Sequence, residues 1–173
     1  MKQKLRVLLF TGLPIGYTKP GEKLTHGGWM SELIKRLKTD TTLVLGIAFQ
    51  HTDKVFKEDI NQVTYYPLTK KEGKLKSINR FIFYGKQEKE ELGKMHSAID
   101  DFRPDIVHVF GTEGVFGLIA PLIKVPTVIH LQGLLGPYLN AWFPPSYSAR
   151  DLKGFRKQWN FNIVKYWVER EKR

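Results

Sequence analysis

The chain has 173 residues, of which 42% are hydrophobic, and it carries a net charge of +11. This length and apolar content predict one folded domain with a proper core and exclude a disordered chain. The absence of cysteine excludes disulfides and thiolate metal sites, and no apolar run reaches the ~18 residues of a transmembrane helix. We therefore expect a cytoplasmic protein.

Five apolar runs predict buried strands, separated by segments of other character. They are Lys4–Phe10, Thr41–Phe49, Val63–Leu68, Asp105–Phe110 and Thr127–Gly133. Strands that alternate with helical segments are typical of an α/β layer structure with a mostly parallel sheet.

Four segments between and after these strands are predicted to be helical. The first is marked by Trp29, Met30, Leu33, Ile34 and Leu37, and the second by Leu92, Met95, Ile99 and Phe102, with Pro104 ending it. The third is the segment Glu113–Ile123. The fourth is marked by Phe155, Trp159, Ile163 and Trp167. The last set predicts a packing face. Residues 69–86 are basic and read as turns, and LLGPYLNAWFPPSYS reads as a loop.

Ligands of open parallel sheets bind at the carboxyl ends of the strands. That rule selects the loop after Phe10, the turn Gly111–Gly114 and the segment from His130 onward. These three places are the candidate functional edge of the predicted sheet.

Gly27 and Gly28 stand directly before the first helix, where Ser, Thr, Asp or Asn would be the better cap. A helix N-terminus has partial positive charge and unpaired N–H groups, and glycine lets a phosphate approach the backbone. The stretch matches neither dinucleotide nor P-loop fingerprints. A tight turn and a phosphate site both remain open.

His130 lies near the end of the fifth strand and is followed by Gln132 and Gly133. Its position at the ligand-facing end favours a binding role over a core role, whereas His108 in mid-strand is interpreted as structural. Glu113 begins a helix, where its carboxylate suits the dipole but could equally bind sugar hydroxyls. No His, Asp and Glu set has metal-ligand spacing.

Three pieces, in this order, resemble the N-terminal domain of a retaining GT-B glycosyltransferase of family 4 (group 1). KLRVLLF leads through a long loop to HGGWMSELIKRL, which is similar to the family's Gly-Gly helix start. PDIVHVFG and VPTVIHLQG are similar to its P-D-x-x-H-x-H and P-x-V-x-T-x-H strands. Phe110 stands where the second His of the former motif is common. The resemblance covers essentially the whole chain.

The resemblance implies a Rossmann-like open parallel sheet with helices on both faces, the N-terminal half of a GT-B fold. Residues 1–173 would form a single acceptor-side domain, with the C-terminal donor-binding domain absent from this sequence. The chain would then be inactive alone.

The implied reaction moves a sugar from a nucleotide-sugar donor to a saccharide or lipid-linked acceptor, with retention. Gly27 and Gly28 would contact the donor diphosphate, and His130 would be the catalytic residue near the transferred sugar. The implied acceptor contacts are Glu113, Gln132 and Gly133. The nucleotide sugar is a co-substrate, so we expect neither a cofactor nor a metal.

The positive charge, dense at Lys70–Lys89 and Arg150–Arg173, supports an alternative. It is either a solvated face or a surface for polyanions and acidic membranes. Aromatics between Lys76 and Lys86 would suit single-stranded nucleic acid in a basic α/β binding module. We expect nucleic acid not to be a partner, and the basic surface to allow peripheral contact with the inner face of the membrane. A nicotinamide enzyme is disfavoured by the missing fingerprint.

Overall fold

A six-stranded sheet organises the chain. The computed structural model describes residues 3–17, 28–51, 56–69, 76–112 and 114–172, without the side chains of residues 76–86, 155, 156, 159 and 171. The strands are β1 (Leu5–Thr11), β2 (Leu43–His51), β3 (Glu58–Ile60), β4 (Val63–Thr69), β5 (Ile106–Phe110) and β6 (Thr127–His130). Each of the five predicted strands is present, with ends that differ from the prediction by at most three residues.

The spatial order of the strands is β3-β4-β2-β1-β5-β6. All neighbours are parallel except β3 and β4. The chain moves from β1 outward through β2 to β4 and then returns to the other side of β1 to form β5 and β6. The direction of winding therefore reverses between β1 and β5.

The short antiparallel strand β3 escaped the sequence prediction. It joins β4 through a two-residue turn in which Asn61 has a φ of 49° and Gln62 a φ of 66°. Two consecutive residues with positive φ indicate a type I′ hairpin turn, whose twist matches that of the strands. Neither residue is glycine, so the usual sequence signal for this turn is absent.

The helices are α1 (Trp29–Lys38), α2 (Lys76–Phe102), α3 (Leu135–Asn140) and α4 (Phe155–Glu171), with 3-10 helices at Phe116–Leu122 and Ala149–Asp151. Three predictions need correction. Of residues 69–86, predicted as turns, Thr69 belongs to β4, residues 70–75 lie outside the described residues, and residues 76–86 belong to α2. The segment Glu113–Ile123 holds a 3-10 helix, and the predicted loop contains α3. No helix within the described ranges has the length and apolar content of a membrane span.

The long helix α2 has no proline to interrupt it and ends just before Pro104. Arg103 adopts a left-handed conformation there and donates its N–H to the Ile99 carbonyl at 2.8 Å. The interruption inside Phe116–Leu122 is Pro121. Proline lacks the N–H that an α-helix would need at that position.

The core lies on both faces of the sheet. One side packs Leu9, Ile47 and Phe110 against Ile34 of α1, and the other packs Leu8, Phe10 and Val107 against α2 and the first 3-10 helix. Successive residues of β1 therefore point to opposite, equally buried faces, which explains the continuous apolar run. The predicted sheet with helices on both faces is confirmed.

Gly46 of β2 allows α2 to approach the sheet closely. A Cβ at this position would lie 2.8 Å from a ring carbon of Phe102 and 2.9 Å from Leu8. Real Cβ atoms do not approach other atoms so closely, so a larger residue would push the helix away.

Candidate site at the carboxyl edge of the sheet

The carboxyl ends of β1 and β5 flank the point where the winding reverses. A crevice at such a point is the usual ligand position in an open α/β sheet. Thr11 ends β1 there, is fully buried, and donates its hydroxyl to the Leu13 carbonyl at 2.8 Å. Gly111 follows β5 and donates its N–H to the His130 carbonyl at 2.9 Å, which fixes the ends of β5 and β6 together.

The N-terminus of α1 lies at this same edge. Gly28 is its N-cap, with φ 99°, and its carbonyl accepts from the N–H groups of Ser31 and Glu32 at 3.1 and 3.4 Å. A side chain at Gly28 would meet nothing within 4 Å, but its positive φ would strain any other residue. The N–H groups of the first turn point out of the helix end. Gly27 lies outside the described residues.

Four rings form a continuous aromatic stack across α1, β5 and β6. It consists of His108, Phe110, His130 and Trp29. Phe110 stacks on His108 with ring centroids 4.2 Å apart, and Trp29 stacks on His130 at 5.1 Å. The centroids of Phe110 and His130, which are partners in the strand register, are 5.6 Å apart. The stack therefore joins the start of α1 to the end of β6.

The two ends of the aromatic stack differ in their exposure. Phe110 is buried and His108 half-buried, whereas His130 is exposed and Trp29 retains 50% of its surface. His130 is thus not a core histidine, and its imidazole can reach a ligand. This exposure is what the sequence could not decide.

His108 occupies a less favourable position for charge. Burial, and next the charge of His130, lower the pKa of the His108 imidazole. Its Nε2 is buried and has no hydrogen-bond partner among the described residues. Such an orphaned nitrogen is tolerated best when the ring is neutral.

Of the three predicted acceptor contacts, the structure describes two. Gln132 donates its amide to the sulfur of Met30 at 3.6 Å, which places it beside the first turn of α1. Gly133 is exposed, with open space around its Cα. Glu113 lies outside the described residues, between Thr112 and Gly114. Gly28, His130 and Gln132 therefore meet at one edge of the sheet.

Sequence reasoning missed two members of the aromatic stack as parts of the site. The sequence identifies Trp29 only as the first residue of a helical spacing, and Phe110 only as a replacement for histidine. The alternation of β5 offered a signal, since it places positions 108 and 110 on the same face. No comparable signal predicted that the indole of Trp29 would reach across to β6.

Metal ligands do not gather at this edge. Across the described ranges, no group of three or more His, Asp and Glu side chains is arranged to hold a metal ion. The predictions that no cofactor and no metal take part stay predictions.

A known structure has the same fold. No family model matches the sequence, and no curated protein matches it significantly. Among solved structures, sucrose-phosphate synthase (tll1590) from Thermosynechococcus elongatus is similar, with a TM-score of 0.53 and 10% sequence identity. The alignment covers 95% of this chain and 40% of that chain, so this chain spans less than half of its neighbour's length. The likeness confirms a Rossmann-like, glycosyltransferase-like fold.

Proposed function

We propose that this domain is the acceptor-side half of a retaining glycosyltransferase of family 4. It would act on a nucleotide-sugar donor and a saccharide or lipid-linked acceptor. The observation that carries the proposal is the contact between Trp29 and His130, because it places the helix start after Gly28 beside the end of β6. The fold of the sucrose-phosphate synthase structure supports it.

The first step of the proposed chemistry uses the start of α1. When the bond between the sugar and the diphosphate breaks, negative charge develops on the departing phosphate oxygen. The N–H groups of the first turn and the positive end of the helix stabilise that charge. Gly28, and Gly27 before it, keep the backbone open to the phosphate.

His130 would contact the sugar that is transferred. Its exposed imidazole can donate to or accept from a hydroxyl, and its contact with Trp29 restrains the ring. Gln132, Gly133 and Glu113 would line the acceptor side. A retaining transfer of this kind requires no protein nucleophile in the domain. A lipid-linked acceptor would bring the basic chain to an anionic membrane surface.

We further propose that a second, donor-binding unit completes the cleft. The alignment with 40% of the synthase chain motivates this arrangement. The nucleotide would then bind mainly to the second unit, and this domain would contribute the diphosphate and acceptor contacts.

The experiment titrates inorganic pyrophosphate into the chain and follows the backbone amides of Gly28, Trp29 and Met30 by NMR. We expect these amides to shift in a saturable manner, and Gly28→Val to weaken pyrophosphate binding by about tenfold, or about 1.4 kcal/mol. The matched control is Gly154→Val. Gly154 caps α4 with a φ of 96° and is equally open around its Cα, so backbone strain is the same but the site is untouched.

Equal pyrophosphate affinity in both variants would refute the phosphate role of Gly28. In parallel, the transfer of sugar is assayed with the 173-residue chain alone. The nucleotide-sugar donors carry a label in the sugar. Turnover by that chain would contradict the need for a second unit.

A further inference from the structure

Trp29 differs in exposure from the other apolar marker residues of α1. It keeps 50% of its surface exposed, although the other marker residues of its helix face the core, with Ile34 only 3% exposed. An exposed indole forgoes the stabilisation that burial of a large apolar side chain contributes. A position that keeps a tryptophan half open therefore calls for a reason beyond packing.

The indole of Trp29 is nevertheless held in place. It stacks on His130 with an interplanar angle of 25° and a centroid distance of 5.1 Å, and it contacts Phe110 at 5.8 Å. Phe110 is in turn fixed by the core and by His108. A ring supported in this way presents its open surface without losing further conformational freedom on binding.

Polar groups flank this ring on the side of β6. The exposed imidazole of His130 lies directly against it, and the amide of Gln132 lies beside Met30, the next residue of α1. An aromatic surface with hydrogen-bonding groups at its rim suits a ligand with apolar and polar faces. A pyranose ring has this character, because its C–H bonds gather on one face and its hydroxyls project from the edge.

We propose that Trp29 is the stacking platform of a pyranose-binding subsite, with His130 and Gln132 as its hydroxyl partners. This inference deepens the proposed transfer function and rests on it only in assigning the bound sugar to the acceptor. A nucleobase would also stack on an indole, so nucleoside diphosphates are titrated as the competing class of ligand. The indole of Trp29 would therefore favour a sugar that has no axial hydroxyl on the face that stacks.

The test labels the chain with 5-fluorotryptophan and follows the fluorine resonances by NMR. Trp29→Phe identifies the resonance of Trp29. The probes are the disaccharides maltose, cellobiose, lactose and mannobiose, titrated to tens of millimolar, and separately the nucleoside diphosphates UDP, ADP and GDP. We expect at least one disaccharide to shift the Trp29 resonance saturably while Trp142 and Trp167 stay unchanged.

The variants then measure the contribution of the ring. We expect Trp29→Ala to weaken disaccharide binding by at least about tenfold and Trp29→Phe by less than about threefold, because the phenyl ring preserves stacking. Tyr147→Ala is the matched control: Tyr147 is 63% exposed and lies outside the aromatic stack. Thermal unfolding of each variant checks that the fold is kept.

Three results would overturn the proposal: no shift with any disaccharide, equal binding by Trp29→Ala and the native chain, or a Trp29 shift with nucleoside diphosphates alone. The assay contains no donor and requires no turnover. A failure of sugar transfer would thus leave disaccharide binding in place, and a failure of the platform would leave the pyrophosphate response of Gly28 in place.

Discussion

At the scale of single residues, the burial of His108 makes the stability of the fold depend on pH. The pKa of its imidazole is lowered in the folded chain, first by burial and then by the charge of His130. The unfolded chain therefore binds more protons between the lowered pKa and the ordinary value of 6.5. The free energy of unfolding is therefore highest above pH 6.5, where the imidazole is neutral in both states, and it decreases as the pH falls below that value.

We predict that His108→Phe flattens the decline of Tm between about pH 7.5 and about pH 5.5. The substitution also removes the orphaned Nε2, so Tm at the upper pH should be equal or higher. The measurement is thermal unfolding followed by circular dichroism across this range. The carboxylates with lowered pKa, such as Asp101, act at lower pH and do not interfere.

The control for this prediction is His96→Gln, on α2 and outside the aromatic stack. It should keep the native pH dependence. If the Tm of His108→Phe and that of the native chain decreased equally over this pH range, the protonation of His108 would not be coupled to folding.

Residue identities in the site were predictable in part from the sequence. Gly28 and His130 could be selected because strand order alone brings their positions to one edge. The exposure of His130 and the position of Trp29 depend on how α1 sits on the sheet, which a single sequence does not encode locally. The helical spacing that includes Trp29 does not predict that its side chain keeps 50% of its surface exposed.

At the scale of elements, the end of α4 is attached to two other parts of the fold. Arg170 is only 6% exposed, its Nη1 lies 3.9 Å from Oε1 of Glu88 on α2, and its Nη2 donates to the Thr112 carbonyl at 3.4 Å. Tyr166, one turn earlier, also donates to Glu88. The last turns of α4 therefore hold the loop after β5, next to Glu113.

We predict that Arg170→Ala destabilises the chain by about 1–3 kcal/mol, because the Glu88 carboxylate, whose side chain is only 12% exposed, loses the cation of Arg170. Replacing both partners, as Arg170→Met with Glu88→Gln, should recover most of the loss. Urea unfolding of the single and double variants measures the coupling.

The matched control is Lys172→Ala. Lys172 lies 2.9 Å from Glu169, a shorter distance than the 3.9 Å pair, but both side chains are about 60% exposed. Exposed ion pairs contribute little to stability because water and salt screen them, so burial should outweigh distance. A larger cost for Lys172→Ala than for Arg170→Ala would reverse that ranking and contradict the prediction.

Sequence periodicity predicted the long apolar elements and missed the short or irregular ones. The five strands and the ends of α2 and α4 follow from burial patterns and from Pro104. The start of α2 was missed because basic residues masked its helical period, and β3 was missed because three residues carry no period. Among the described side chains of α4, the buried apolar ones are Val164 and Val168, one residue beyond Ile163 and Trp167 of the predicted stripe, which are half-buried.

At the scale of the whole molecule, the two edges of the sheet are unlike each other. β3 closes one edge with three residues, two of them acidic. β6 forms the other edge, with Val128 51% and Ile129 38% exposed. Short, charged edges resist pairing with another chain, whereas apolar edges invite it.

We predict that the native chain self-associates at high concentration and that Val128→Lys reduces this association. A lysine on an edge strand opposes pairing, and the free energy of unfolding should change by less than about 1 kcal/mol. Sedimentation velocity over a concentration series is the measurement.

Leu122→Lys is the matched control, since Leu122 is 53% exposed but lies in a 3-10 helix. It should leave association unchanged. Equal effects of both lysines would mean that net charge, rather than the strand edge, governs association.

Because its two edges differ, the sheet can be extended by a further strand at only one of them. An added strand can extend the hydrogen-bonded ladder beside β6 without displacing an existing element, while the β3–β4 hairpin seals the opposite side. Insertions that lengthen the fold are therefore accommodated next to His130, at the candidate site. The hairpin turn at Asn61 and Gln62 is exposed and lies at the far edge, so a tag inserted there would stay away from His130.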